Sequence, residues 1–528
     1  MTKRKSGVLL HPTSFPSPYG IGDLGDKAIE FIDFLKNSKQ KLWQILPLGH
    51  TCFGDSPYQS FSTFAGNPLL ISPDKLKEDS LLTDEDLKNP PYFSNEKVEY
   101  GKVMDYKYSL YRKAYEKFKK IKNKKVQSDY NAFCRKNQKW LDDYSLFISL
   151  KNYFIAQRDG TWETPEYKAY KKQNELTMPE NTINDCFYGA SWNSWPSDIA
   201  QRKKSAIDKW SKKLKDEINF YKFLQYKFSS QWQEVKDYAK ENDIEIIGDI
   251  PIFVAADSAD TWSNPSLFEM DSKGYPTFVA GVPPDYFSEY GQLWGNPLYN
   301  WDYHKKTNYE WWIQRIENVL NMVDIVRIDH FRAFESYWSI PYGSETAVTG
   351  EWKKGPGEEF FNIVKKALPN PHIIAEDLGD LNEEVLILRD KLGFPGMKIL
   401  QFAFGAGAKN TYLPHNYDTT NCIVYTGTHD NDTTIGWYTH ADNETKDHVR
   451  RLLNISGADI AWDLIRFAYS STADTVIIPL QDILCLDSSA RMNTPGVSGG
   501  NWQFRFPDGS LTYEKSAGLS YLVDLYNR

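Results

Sequence analysis

The chain has little cysteine: five residues in 528, at Cys52, Cys134, Cys186, Cys422 and Cys485. The number is odd, the residues lie far apart and no CxxC occurs. That excludes a disulfide scaffold and a zinc-binding cysteine cluster, and points to reduced thiols in a cytoplasmic protein. A long apolar run is missing too. The basic start is followed only by Val8-Leu9-Leu10, too short for a secretory signal, and no segment is long enough to span a bilayer. Excess positive charge is also absent. The formal net charge of −8 argues against nucleic acid or an anionic membrane as a partner. The one dense lysine run, at 117–125, is flanked by acidic and apolar residues and reads as a solvated helix face. Internal repeats and low-complexity linkers are not found.

Apolar and aromatic residues are plentiful: 41% hydrophobic, 15% aromatic, with 17 Trp and 33 Tyr. This supports a sizeable core and is compatible with a glycan-binding cleft, because flat apolar sugar faces need flat apolar partners. Eight apolar runs read as strands, at 7–11, 43–47, 244–254, 323–329, 372–377, 397–404, 422–426 and 475–480. They are continuous and not alternating, as in strands buried on both faces. Amphipathic helical patterns separate most of them, at 26–38, 309–322, 358–368, 383–392 and 444–470, and another closes the chain at 519–526. Strand–helix alternation repeated eight times predicts an α/β protein, a (β/α)8 TIM barrel. Residues 1–528 then form a single catalytic barrel. A mainly helical subdomain is inserted at 50–215, and a Pro- and Gly-rich lid or loop subdomain at 255–305. No separate C-terminal β domain follows.

Three of the runs end in carboxylates: VDIVRID at Asp329, HIIAED with Glu376 and Asp377, and IVYTGTHD at Asp430. In a parallel barrel such ends converge on one mouth. Arg327 and Asp329 share a strand face, so the guanidinium is expected to keep Asp329 ionised, as a nucleophile requires, although the pair could equally be a structural buried ion pair. Glu376 ends the next strand, close enough for the short carboxylate separation of retaining glycosidases; it could instead sit at a helix N-terminus. Asp377 faces the other way and reads as structural. Asp430 could complete the set with His429, or the two could form a turn or cap. Asp249, at the end of the core of the third run, is a fourth candidate.

VRIDH, AEDLG and THDN resemble the signature regions of the α-amylase clan. The stretches at 54–71 (GDSPYQSFSTFAGNPLLI), 248–262 (GDIPIFVAADSADTW), 281–301 (GVPPDYFSEYGQLWGNPLYNW) and 492–505 (MNTPGVSGGNWQFR) more closely resemble the 4-α-glucanotransferases, or amylomaltases, of glycoside hydrolase family 77. The resemblance covers essentially the whole chain. It implies Asp329 as nucleophile, Glu376 as acid/base and Asp430 as transition-state stabiliser. It further implies that Arg327, Asp249 and His429 surround the reacting sugar ring and that Tyr58 stacks on it. Asp285, Tyr286, Gln292 and Trp294 would belong to a lid, while Trp294 could also simply pack that loop, and Asn493 would lie on a facing sugar-contacting loop. The Asn-His pair found near a calcium site in many amylases is absent after Asp249, so neither a metal nor another cofactor is expected. The implied partners are maltooligosaccharides and α-1,4-glucans as donors and glucose or maltodextrin as acceptors. An α-glucan hydrolase and a non-catalytic glycan-binding protein are the alternatives.

Overall fold

The computed structural model describes residues 4–158, 172, 191–284, 288–379, 381–497 and 499–528. All eight apolar runs contribute a strand: β1 (Lys5–Leu9), β2 (Leu42–Gln44), β3 (Glu245–Ile250), β6 (Ile325–Ile328), β9 (Ile373–Ala375), β10 (Gly396–Ile399), β11 (Cys422–Tyr425) and β12 (Thr475–Pro479). They pair in parallel in the order β10-β11-β12-β1-β2-β3-β6-β9. A hydrogen bond from Ala375 N–H to the Pro395 carbonyl, 3.0 Å, joins the two ends and closes the barrel. The strands are shorter than the runs. Pro251 has no N–H to offer the ladder, and β3 stops just before it.

Helices wrap the outside. Asp26–Asn37 buries Phe31, Ile32 and Leu35 against the barrel. Trp43 of β2 is fully buried, with Phe31 and Phe15 at ring-centre distances of 5.3 and 5.9 Å, and its indole N–H bonds the Leu10 carbonyl at 2.8 Å. The helix read at 444–470 is two helices, Asn443–Leu453 and Ile460–Ser470. Asn454 is left-handed at φ 54° and Gly457 at φ 84°, so the backbone leaves the helix between them although the apolar period continues. Between β10 and β11 the crossover holds only short 3-10 turns, Leu400–Phe402 and Pro414–Asn416.

Two excursions rise over the mouth. Between β2 and β3 lie the helices Tyr100–Phe118, Lys124–Lys136, Gln138–Arg158, Lys204–Lys213 and Lys215–Glu241, the last leading back into β3. Buried charge ties them to the barrel loops: Lys107 bonds the Leu69 carbonyl at 2.8 Å, and Lys151 pairs with Asp257 beyond β3. The second excursion is a four-stranded antiparallel sheet of β4 (Phe278–Val282), β5 (Gln292–Pro297), β7 (Ser336–Pro341) and β8 (Glu351–Lys354), in the order β5-β4-β7-β8. Its halves come from either side of β6. After β12 come a short helix, Leu480–Ile483, a long loop and the closing helix Tyr513–Tyr526.

Candidate active site

β3 and β6 pair with Asp249 opposite Arg327. Side chains alternate along a strand, so Arg327 and Asp329 face the barrel interior while Val326 and Ile328, both fully buried, face the helices. Arg327 Nη1 donates to Asp249 Oδ2 at 2.5 Å and to Asp329 Oδ1 at 3.0 Å. Tyr58 hydroxyl donates to the same Asp249 oxygen at 2.7 Å. Asp249–Arg327 is therefore a closed, buried ion pair. Asp329 is different: its side chain keeps 28% exposure and lines the cleft, so it is not consumed by the ion pair.

On the other side of β6, Ile328 is in register with Ala375 of β9, which places Asp329 and Glu376 side by side one residue further on. The Glu376 N–H bonds the Ile328 carbonyl at 3.0 Å, continuing the ladder. Its carboxylate accepts from His330 N–H at 2.6 Å and Leu378 N–H at 3.0 Å. The next helix starts only at Glu383 and is capped by Asn382, so Glu376 is not a helix cap. Asp377 turns outward to Arg389 and to Met397 N–H, 2.7 Å, a structural position.

His429 and Asp430 follow β11. The His429 ring stacks on Tyr58, centres 5.1 Å apart and 10° from parallel, and its Nε2 lies 3.4 Å from Asp430 Oδ2. Thr433 caps the following helix, so Asp430 is free of that duty. Asn493 Nδ2 donates to Asp430 Oδ1 at 2.6 Å. Arg491, which the sequence reading does not include, bonds the carbonyls of Asp430 (2.6 Å) and Asn493 (2.7 Å) and fixes the two loops together.

Three carboxylates share one guanidinium. Burial raises the Glu376 carboxyl to about 8 and Asp249 to about 7, with Arg327 opposing in both cases. Arg327 bonds Asp249 and Asp329 but reaches Glu376 only through its charge, so Glu376 is the natural holder of a proton at neutral pH. Asp329 departs from expectation. Burial outweighs Arg327 and lifts its pKa; the guanidinium limits the rise and does not reverse it. Burial also lowers the His429 pKa, with Asp430 opposing.

Opposite these groups, Trp294 and Gln292 of β5 line a cleft of about 550 Å³ together with Tyr58, Asp329, Asp430 and Asn493. The Trp294 indole N–H donates to Gln292 Oε1 at 3.1 Å, and its ring packs on Phe253 and His330. Gly291 and Gly295 are both left-handed, φ 65° and 77°, and β4–β5 pairing shifts register between Val279 and Gly281. The glycines therefore serve this irregular turn and strand geometry. Asp285 and Tyr286 lie outside the described residues. Trp502, 5.6 Å from Tyr58 and 6.0 Å from His429, joins the wall; it sits inside the 492–505 motif, which was its only signal. Among the described residues no group of three or more His, Cys, Asp or Glu could hold a metal ion, and no helix is long and apolar enough to cross a membrane.

The arrangement offers a carboxylate open to a cleft, a second beside it able to carry a proton, and a third on the facing loop. The family model described as 4-alpha-glucanotransferase matches residues 10–512. The chain belongs to that family. A 4-alpha-glucanotransferase of Synechocystis is 45% identical over 534 aligned residues, covering 100% of this chain and 99% of its own length. One from Clostridium butyricum is 46% identical, with 98% and 100% coverage. The family fold is shared throughout: the amylomaltase of Streptococcus agalactiae, solved in complex with acarbose, superimposes with a TM-score of 0.90 at 38% identity and full coverage of both chains.

Proposed function

We propose that this member of the 4-alpha-glucanotransferase family moves α-1,4-glucan segments between maltooligosaccharides by a retaining double displacement. The observation that carries the mechanism is the placement of Asp329 and Glu376 on adjacent strands, one step beyond the registered pair Ile328–Ala375. Neighbouring inward-facing carboxylates suit covalent catalysis, whereas an inverting pair leaves room for a water between them. Asp329 attacks the anomeric carbon while Glu376 gives its proton to the departing glycosidic oxygen. A glucosyl ester on Asp329 forms, and the freed sugar leaves. Glu376, now ionised, takes the proton of an acceptor 4-hydroxyl as that oxygen attacks the anomeric carbon and the Asp329 carboxylate departs from it. The bond is remade with its configuration retained, and Asp329 is released.

Asp430 stabilises the oxocarbenium-like state. Arg327 and Asp249 are the rigid floor, and Tyr58 and His429 the flat wall against the sugar. Trp294, Gln292 and the 255–305 excursion shield the ester from water, so that a sugar hydroxyl and not water completes the cycle. Donors are maltooligosaccharides and longer α-1,4-glucans, acceptors glucose and maltodextrins. The scattered cysteines favour a cytoplasmic setting. The test is incubation with maltotriose alone, followed by separation of the products. A ladder of longer maltodextrins with glucose supports transfer. Falling mean chain length would instead mark a hydrolase, and no change a binding protein.

A further inference from the structure

His330 follows Asp329 directly and has a left-handed backbone, φ 51° and ψ 48°. A residue with a side chain adopts this conformation at a cost, and keeps it only where its surroundings impose it. Two contacts hold it here. The backbone N–H donates to Glu376 Oε2 at 2.6 Å. The imidazole meets the ring of Trp294 at 81°, centres 4.9 Å apart. The next N–H, that of Phe331, bonds the Glu376 carbonyl at 3.1 Å, so the end of β6 folds back over the end of β9. The ring is partly buried and its pKa is lowered to about 3, chiefly by desolvation, so the contact with Trp294 is packing between rings and not a cation–π pair. One residue thus touches the acid/base candidate with its backbone and the β5 lid strand with its side chain.

We propose that His330 is a positioning residue through which the lid strand acts on Glu376, so that Glu376 gives up its proton more readily while Trp294 is seated on the His330 ring. An N–H donor favours a carboxylate over a carboxylic acid. With β5 in place the donor is aimed at Oε2 and the base form is available to an acceptor hydroxyl. With β5 displaced the turn loses its outer support, the donor drifts and Glu376 retains its proton. The enzyme is then a poor base at the moment when water could enter, which favours transfer over hydrolysis. This inference rests on the assignment of Glu376 as the acid/base. Among the described residues, the other groups facing Glu376 are Arg327 and Asp329 from β6, Asp377 and the Leu378 N–H from its own segment, and Tyr412 from the β10–β11 crossover. None of them bridges to the lid strand.

The experiment is the pH dependence of kcat/KM on maltotriose for the wild type, His330→Gly, Trp294→Ala and the double variant. Glycine accepts the left-handed conformation and keeps the N–H, so His330→Gly removes the ring without adding strain. The expected result is an upward shift of the alkaline limb by about half a pH unit or more in each single variant. The double variant should shift no further than either single one, because both break the same link. An unmoved limb in His330→Gly, or shifts that add in the double variant, overturns the proposal; a merely structural role for His330 would lower the melting temperature without moving the limb. Glu376→Gln separates the two layers. If its profile keeps the limb, the assignment of Glu376 fails and the inference with it. If the limb disappears in Glu376→Gln yet stays fixed in His330→Gly, only the inference fails.

Discussion

The amide of Asn493 donates to Asp430 Oδ1 at 2.6 Å, from a loop far along the chain. The residue expected to touch sugar thus first orients a carboxylate, and Arg491 secures both by their carbonyls. Removing the donor from a partly exposed carboxylate costs about 1.5 kcal/mol, at the low end for charged hydrogen bonds. Asn493→Ala is therefore expected to lose roughly tenfold in kcat/KM on maltotriose with little change in melting temperature. Steady-state rates beside a thermal melt check it, and an unchanged rate refutes the orienting role.

Asp329→Ala is expected to abolish turnover while the protein stays folded, since the side chain opens to the cleft and is not part of the apolar core. Loss of a covalent nucleophile costs several orders of magnitude. Glucose release from maltotriose by protein free of wild-type carry-over is the measurement. Activity above a small residual fraction removes Asp329 from this role.

Activity should have a bell-shaped pH dependence. As an acid, Glu376 works only while protonated, and its folded-state value near 8 puts the loss of rate on the alkaline side as pH rises through it. Asp329 must be ionised, so rate falls on the acid side as pH drops through its raised pKa. Glu376→Gln should slow maltotriose cleavage strongly but α-glucosyl fluoride consumption much less, because fluoride leaves without a proton. The glucosyl ester should then accumulate and be visible by intact-protein mass spectrometry. Equal losses on both substrates with no adduct would falsify the acid role.

Trp294→Ala should raise the ratio of hydrolysis to transfer and weaken longer acceptors. The loss of one aromatic contact is worth about 1–3 kcal/mol, so chemistry slows without stopping. Reducing-end formation measured beside glucose release separates the two processes. A proportional fall in both with a sharply lower melting temperature would make Trp294 a packing residue only.

Trp43→Ala should destabilise the fold by about 3–5 kcal/mol through the cavity it leaves among Phe15, Phe31 and Trp232. Urea unfolding should show a lower midpoint. An unchanged midpoint would mean that the region repacks.

The barrel was legible because its strands are buried on both faces, and an unbroken apolar run such as that of β12 has few other readings. The strand-end carboxylates followed from the same pattern together with alternation of side chains. The lid sheet was not legible. β5 carries Leu293 and Trp294 beside the left-handed Gly295, β7 ends in Pro341, and β8 is short and exposed, so neither a period of two nor a continuous run marks them. Arg491 escaped notice because its role lies in two carbonyl contacts to distant loops, which no local pattern announces. The raised Asp329 pKa escaped for a related reason: a sequence shows the neighbouring arginine but not the depth of burial.

The sheet over the mouth is stitched from both sides of β6, the strand that presents Asp329. It cannot be cut out or grafted as one cassette, because the sheet's two halves are joined through the strand that bears Asp329. It is also complete early in the chain: β8 ends at Lys354, before β9, β10, β11 and β12, so the last strand of the cover precedes half of the barrel floor. Exchanging it between relatives would mean moving residues 278–354 together, β6 included.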